Sequence, residues 1–324
     1  MSEKIMVSID CITYNQEEYI AEAIESFLMQ KTNFNYEILI HDDASTDNTR
    51  EIIKKYEEKY PDIIKPIYQS ENKYSKGIRV EYEYNFKRAK GKYIARCEGD
   101  DYWTDPYKLQ KQVDYMEAHP ECTLCMHSVD LICGKTKKNT GVTSPYNCST
   151  KAPIEDMIMG GGGFIETSSV LYPRKAFENV PKLYFDCVVG DYPMQILLAH
   201  EGYAYYINES MSVYRTNAKN SWTRRMNDGH IEKRIKVFDN INIMLDEFNV
   251  YTNKKYNDTI HEVKRKNDFN KILIKNDLRL MKSPEFKDLY LNINIRNRIN
   301  IISKYYFPIL EDIVKTLRSR FIYD

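Results

Sequence analysis

Short apolar runs alternate with amphipathic stretches through the first 110 residues, and this alternation limits the fold more than any other feature of the chain. Ile5 to Thr13 reads as a strand, and Glu17 to Gln30 as a helix with Ile20, Ile24, Phe27 and Leu28 as its apolar stripe. Tyr36 to His41 is a second strand. Ser45-Thr46-Asp47 then supplies N-cap residues for a helix carrying Ile52, Ile53 and Tyr56. Ile64 to Gln69 and Lys92 to Cys97 supply two more strands. Loops this short between strands and helices imply an α/β fold, a mostly parallel central sheet flanked by helices. Open sheets of that kind bind ligands beyond the carboxyl ends of their strands.

One such end carries Glu98-Gly99-Asp100-Asp101, followed by Tyr102-Trp103-Thr104-Asp105-Pro106 and a helix with Leu109, Val113 and Met116 on one face. Adjacent carboxylates there suit a divalent cation held partly by a substrate's phosphates. A solvated acidic turn with Asp105 as helix N-cap is the alternative reading. Three further segments sit at comparable places. Thr13-Tyr14-Asn15-Gln16-Glu17 ends the first strand, and His41-Asp42-Asp43-Ala44-Ser45-Thr46-Asp47-Asn48-Thr49 ends the second. Gly190-Asp191-Tyr192-Pro193 precedes an apolar helix, Met194 to Ala199.

The totals exclude several classes. With 42% hydrophobic residues the chain has ample core material, and a formal charge of zero gives no case for nucleic acid. The charge is uneven, since residues 251–324 hold 16 Lys/Arg against 9 Asp/Glu. A basic tail of this kind makes an anionic membrane surface a candidate partner. Met1-Ser2-Glu3-Lys4 leads directly into strand-like sequence, which reads as no secretory leader, and no apolar run approaches the ~18 residues of a membrane span. Seven cysteines without framework spacing suit a reducing cytosol. Cys122-x-x-Cys125 with His127 and Cys133 invites a zinc reading, but Cys122 to Ile132 reads as a core strand and no second paired motif follows.

From Cys122 to about Ser212 the pattern is less regular and contains Gly160-Gly161-Gly162-Gly163, either a loose loop or a turn that lets a ligand approach backbone. After Trp222, helical spacing in Ile231, Ile235, Phe238 and Ile241 marks a helical region. The expected organisation is residues 1–224 as one domain and 225–324 as a helical extension, a membrane-interface or oligomer contact.

The Thr-Tyr-Asn, Asp-Asp-x-Ser-x-Asp-x-Thr, acidic-turn and Gly-Asp segments, in this order, resemble a family 2 glycosyltransferase of the GT-A fold, over about residues 5 to 223. The resemblance implies an inverting, nucleotide-sugar-dependent hexosyl- or N-acetylhexosaminyl-transferase of the bacterial surface-polysaccharide type. Its donor is a UDP-sugar, and its acceptor a glycan or a lipid-linked sugar. Asp43 matches the residue that accepts a hydrogen bond from the nucleobase, with Thr13, Tyr14, Asn15 and Glu17 as further nucleotide contacts; Asp42 serves instead to brace the turn. Asp100 faces the sugar or ribose, and Asp101 binds Mn²⁺ or Mg²⁺ on the diphosphate. Asp191 matches the general base; a helix N-cap role is its alternative. Tyr214 to Thr223 resembles the segment closing over the diphosphate, with Arg215 or Lys219 neutralising phosphate; relatives often carry a His where this chain has Asn217. Arg79, Lys87 and Arg88 are weaker phosphate candidates. The acceptor side falls on Gly160 to Ser169, with Glu166 and Thr167, and on Trp103 and Trp222, which either stack on sugars or pack in the core. The implied location is the cytoplasm, with the inner face of the cell membrane as a candidate site. A rival class is a non-catalytic nucleotide-sugar or glycan binding protein on the same fold.

Overall fold

The computed structural model describes residues 4–218 and 230–306. The chain divides into two compact units, Met1–Asp228 and Gly229–Asp324.

In the first unit, β1 (Ile5–Thr13), β2 (Asn35–Asp42), β3 (Ile64–Tyr68) and β4 (Tyr93–Arg96) run parallel in the order β3-β2-β1-β4. Alternation along β1 divides its residues between two buried faces. Val7, Ile9 and Cys11 join Ile20, Ile24 and Phe27 of α1 (Ile20–Leu28) and Leu109, Val113 and Met116 of α3 (Lys108–Ala118) in one apolar core. Ser8 and Asp10 are buried too, and Asp10 stands in register with Arg96 on β4.

The second half of the sheet is mixed. β4 pairs antiparallel with β9 (Leu171–Pro173), β9 with β6 (Cys122–Cys133), and β6 runs parallel to β10 (Tyr203–Thr216). The short β5 (Tyr102–Trp103) and β8 (Thr150–Ala152) pair antiparallel with β10, and β7 (Asn139–Thr143) with β6. The parallel reading therefore describes the first four strands. Beyond them short returns such as residues 134–138, which turn β6 straight back into β7, give antiparallel neighbours, while β6 and β10 remain parallel.

Two helix starts differ from the sequence reading. The first helix begins at Ile20 rather than Glu17; Asn15 before it is left-handed, φ +52°, and the amides of Asn15, Gln16 and Glu17 are held by the side chains of Ser45, Thr49 and Asp47. The second, α2 (Thr49–Lys59), starts after the Ser45-Thr46-Asp47 cluster, where Asp47 Oδ1 accepts from the Thr49 amide at 3.0 Å. The four glycines end α4 (Ile154–Gly160) and form a single 3₁₀ turn, Gly161–Gly163.

The second unit holds helices Ile231–Tyr251, Asn257–Lys275, Leu278–Met281, Lys287–Asn292 and Ile295–Tyr306. Phe269, Leu278, Met281, Phe286 and Tyr290 form its small core, against which Ile301, Ile302 and Tyr305 pack. Among the described residues no helix is long and apolar enough to cross a membrane.

Phe27 is fully buried and meets Trp103 edge-on, ring centroids 4.9 Å apart, so it joins α1 to the strand after the acidic turn. Phe27→Ala should cost about 3–5 kcal/mol through lost burial and the cavity left behind. Denaturant unfolding measures this; a loss under about 1 kcal/mol would mean the core re-collapses around the gap.

Candidate active site

Parallel pairing puts Thr13 opposite Asp42, so the loops after β1 and β2 leave the sheet side by side. They are stitched together. Asn15, at φ +52°, donates its amide to Ser45 Oγ at 2.9 Å, while its Oδ1 accepts from the Thr46 amide at 2.7 Å. Glu17 Oε2 accepts from the Asn48 amide at 3.0 Å. Asn15 and Glu17, expected as nucleotide contacts, thus spend these polar atoms bracing loop against loop. Thr13 Oγ1 donates to Gln16 Oε1 at 2.7 Å, and Tyr14 is half-buried beside it. Asp42 braces its turn, accepting from the Ser45 amide at 3.2 Å and Arg50 Nε at 3.0 Å. Asp43 is buried; its Oδ1 accepts from the Lys73 amide at 2.7 Å and its Oδ2 from the Tyr74 amide at 3.0 Å. Oδ1 also lies 3.3 Å from His41 Nε2, so Oδ2 is the oxygen that keeps a further lone pair.

The acidic turn continues the β1–β4 pairing, with the Gly99 amide on the Ile12 carbonyl at 3.0 Å. Asp100 and Asp101 are both buried, and Asp101 Oδ1 accepts from the Arg215 amide at 2.9 Å. The Arg215 guanidinium donates to the Asp100 carbonyl and to Glu22 Oε2, and lies over the rings of Tyr19 and Tyr102. It is a brace under the turn, and its guanidinium, expected to meet phosphate, is here engaged with Glu22. Trp103 is also corrected: at 1% exposure it cannot stack on a sugar, and its indole N–H donates to the Ser168 carbonyl at 2.9 Å. Lys108 Nζ sits 4.2 Å from that ring's centre, its pKa lowered by burial to about 7.

Asp191 opens α6 (Asp191–Glu201), with Gly190 rather than Asp191 in the cap position, and its Oδ1 accepts from the Tyr192 amide at 2.8 Å. A Cβ added at Gly162 would lie 3.2 Å from both Asp191 carboxylate oxygens, so only bare backbone fits comfortably beside this group. Glu166 accepts from Thr143 Oγ1 at 3.1 Å, and Thr167 begins the 3₁₀ turn Thr167–Ser169. Gln195, one turn beyond Asp191, is fully buried and donates to the Ile165 carbonyl at 3.1 Å, holding the Glu166 segment to α6.

These carboxylates share one low-dielectric region. Burial, then Asp100 beside it, pushes Glu98 up to about 8. Burial and the Asp100 charge hold Asp101 well above the usual carboxylate range, and burial raises Asp100, Asp191 and Glu166. Glu166 feels the charge of Asp191, and Asp101 feels that of Glu166, which ties the two ends of the cluster together. Among the described residues no three His, Cys, Asp or Glu side chains converge as a complete metal shell. The donor set still fits a hard divalent cation whose remaining ligands come from elsewhere: like-charged, water-poor carboxylates are what such a cation relieves.

Sequence reading missed the counter-charge. Arg96 Nε lies 3.3 Å from Asp10 Oδ2, Arg96 Nη2 4.0 Å from Glu81 Oε1, and Arg96 Nη1 3.2 Å from Met194 Sδ on α6. Asn85 Nδ2 donates to Asp10 Oδ1 at 2.8 Å. The available signal was an acid and an arginine in the middle of two otherwise apolar strands, the pattern of a buried pair. Gln16, which the motif contained without a role, hydrogen-bonds the Asp100 carboxylate.

Of the weaker candidates, Lys87 pairs with Glu83 on an exposed face, and Arg88 donates to the Lys65 carbonyl and Asn85 Oδ1. Asn217 is exposed and left-handed, φ +57°, at the end of β10. Lys219 and Trp222 lie outside the described residues. Cys122 and Cys125 are buried in the apolar core.

A sequence model described as glycosyl transferase family 2 matches residues 8–180. An uncharacterized protein of Mycobacterium tuberculosis is 38% identical over 217 residues, 67% of this chain but 60% of that protein, so the chain spans under two thirds of this relative's length. A UDP-Glc:alpha-D-GlcNAc-diphosphoundecaprenol beta-1,3-glucosyltransferase of Escherichia coli is 40% identical over 112 residues, 35% of this chain and 41% of that one. Among solved structures, TarS 1-349 of S. aureus in complex with UDP-GlcNAc superposes with a TM-score of 0.56 at 15% identity, over 93% of this chain and 80% of that one. The mannosyltransferase PcManGT from Pyrobaculum calidifontis, in complex with GDP-Man and Mn²⁺, gives 0.55 at 14% identity over 95% and 82%. At such identity the two structures show the fold alone, and it is the GT-A fold that the motifs imply.

With its folded-state value raised to about 8, Glu98 favours the fold fully below the ordinary carboxylate range and loses that contribution as pH rises through about 8. In chelator, Glu98→Gln should therefore melt higher than the parent at pH 8–9, with the gap closing towards pH 5. Thermal melts across that range check it; curves that stay parallel would show that Glu98 carries no such strain.

Proposed function

Because the chain belongs to glycosyl transferase family 2, we propose that it moves a sugar from a nucleoside diphosphate donor, a UDP-sugar, to a glycan or lipid-linked acceptor with inversion at the anomeric carbon. One observation carries the reading: Asp100 and Asp101, both buried, share one acidic region around the end of β4 with the half-buried Glu166 and Asp191, which come from segments far apart in sequence. Asp43 accepts the ring N–H of uracil through the Oδ2 lone pair that the Tyr74 amide leaves open, Oδ1 being held by the Lys73 amide and His41. Asp100 faces the donor sugar or ribose. Asp101 holds Mg²⁺ or Mn²⁺ against the diphosphate, and the bound cation supplies charge neutralisation for the departing group. Asp191 takes the proton of an acceptor hydroxyl while that oxygen attacks the anomeric carbon; the bond from that carbon to the diphosphate oxygen breaks, and its electron pair leaves with the nucleoside diphosphate. A base so placed contributes roughly 10²–10⁴-fold. The glycine turn and Glu166 line the acceptor side.

The first test is thermal stabilisation by UDP, dTDP, GDP and CDP, each with and without Mn²⁺, since a ligand selective for the native state raises the melting temperature. Metal-dependent stabilisation by UDP or dTDP alone supports the uracil-type assignment at Asp43; stabilisation by GDP alone overturns it. Asp101→Asn should abolish the metal-dependent part. Asp191→Asn should bind the nucleotide as the parent does and lose at least ~10²-fold in turnover. Parent-level turnover would remove Asp191 as the base, and binding without turnover in the parent would favour the non-catalytic reading.

The acceptor is proposed to be reached at an anionic membrane surface through the C-terminal helices. The basic tail also carries apolar residues, and its last described helix divides them: Ile301, Ile302 and Tyr305 pack inward, while Ile295, Ile299 and Tyr306 are exposed on one face with Arg296 and Arg298 to either side. Phe307, Ile309 and Leu310 lie outside the described residues. Ile295→Asp with Ile299→Asp should reduce flotation with phosphatidylglycerol vesicles severalfold at unchanged fold; equal flotation would assign that face to another role.

A further inference from the structure

We infer that Arg79 is a positioning residue for Asp191, reaching from the segment between β3 and β4 to fix the peptide that carries it. The inference rests on Asp191 being the base. Arg79 Nη2 donates to the Val189 carbonyl at 3.2 Å, across 110 residues of chain. The contact continues onto the next residue: a Cβ added at Gly190 would lie 3.0 Å from Arg79 Nη1 and 3.1 Å from Glu81 Oε1. The two side chains therefore press directly on the backbone one residue before Asp191. They are themselves held in place. Glu81 is buried, accepts from the Tyr184 hydroxyl at 3.0 Å and lies 4.0 Å from Arg96 Nη2; the Arg79 guanidinium lies over the Tyr184 ring, 5.4 Å from its centre. A planar guanidinium that stacks and donates at once is a rigid support, which an ammonium cannot reproduce.

The same segment begins with the Lys73 and Tyr74 amides that hold Asp43. One stretch of chain, residues 73–85, thus touches the carboxylate proposed for the nucleobase at one end and the backbone of the proposed base at the other.

Arg79 also acts on charge. The groups that face Asp191 are Arg79 and Glu81 from this segment, Arg96 from β4, Glu98 from the acidic turn and Glu166 from the acceptor side. The two arginines favour the carboxylate, against burial and the neighbouring acids. Loss of the Arg79 charge moves the Asp191 titration to higher pH; loss of the hydrogen bond and stacking alone moves the peptide while leaving the charge.

The test uses the full chain, with Arg79→Met and Arg79→Lys, and has a readout that needs no substrate. The pH dependence of the stability difference between the parent and Asp191→Asn reports the Asp191 titration. In an Arg79→Met background that midpoint should rise, and Arg79→Lys should restore most of the change. Release of UDP from UDP-glucose or UDP-GlcNAc, whichever the parent turns over, should fall roughly tenfold in kcat for both variants, with Mn²⁺-dependent UDP binding unchanged. Weakened UDP binding with an unmoved titration would make Arg79 a phosphate ligand and overturn the inference. An unmoved titration with parental binding would overturn it as well. If Asp191→Asn itself keeps parental turnover, the function reading fails first, a result separable from either Arg79 outcome.

Discussion

The acidic edge of this sheet depends on one buried cation. Arg96 stands in register with Asp10 on the neighbouring strand and reaches both Glu81 and the first turn of α6. Burial works against its charge, and Asp10 and Glu81 more than offset that, so the guanidinium stays protonated while Asp10 is raised to only about 6. Breaking such a pair by removing one partner costs about 3–5 kcal/mol, because the other charge is left in a dry interior. Around it the chain gathers more carboxylates than it neutralises: Glu98, Asp100, Asp101, Asp191 and Glu166 all sit above their ordinary ranges. The fold tolerates that excess, which a bound cation relieves.

Around this edge, most of the polar side chains that look like ligand contacts support other protein groups. Asn15 and Glu17 tie the β1 loop to the β2 loop, Asp42 holds its own turn, and Arg215 fastens the acidic turn to α1 through Glu22. Gln195 keeps the Glu166 segment on α6. Transfer between two bound molecules tolerates little misplacement, so a site built on loops needs this kind of support. The glycine turn serves the same end by subtraction, since beside Asp191 a side chain at Gly162 would crowd the carboxylate.

Much of the first 120 residues was legible in the sequence because strand and helix periodicities are local. β1 spans the residues that alternation assigns to it, and the β2, β3 and β4 strands differ from their readings by a residue or two. The helix expected from Glu17 begins at Ile20, and the amides just before it are tied to a loop about 30 residues away, a contact no local pattern records. Trp103 looks alike in sequence whether it stacks on a sugar or packs in a core; its neighbours Phe27, Lys108 and Ser168 decide the matter.

Residue type and short spacing were enough to identify the family and the acidic motifs. The folded arrangement settled which polar groups are consumed as supports. It also decided that Arg79, Glu81 and Arg96 gather around Asp191. Those outcomes depend on contacts between residues 30 to 193 positions apart, and such contacts exist only once strand register and helix packing have fixed where each side chain points.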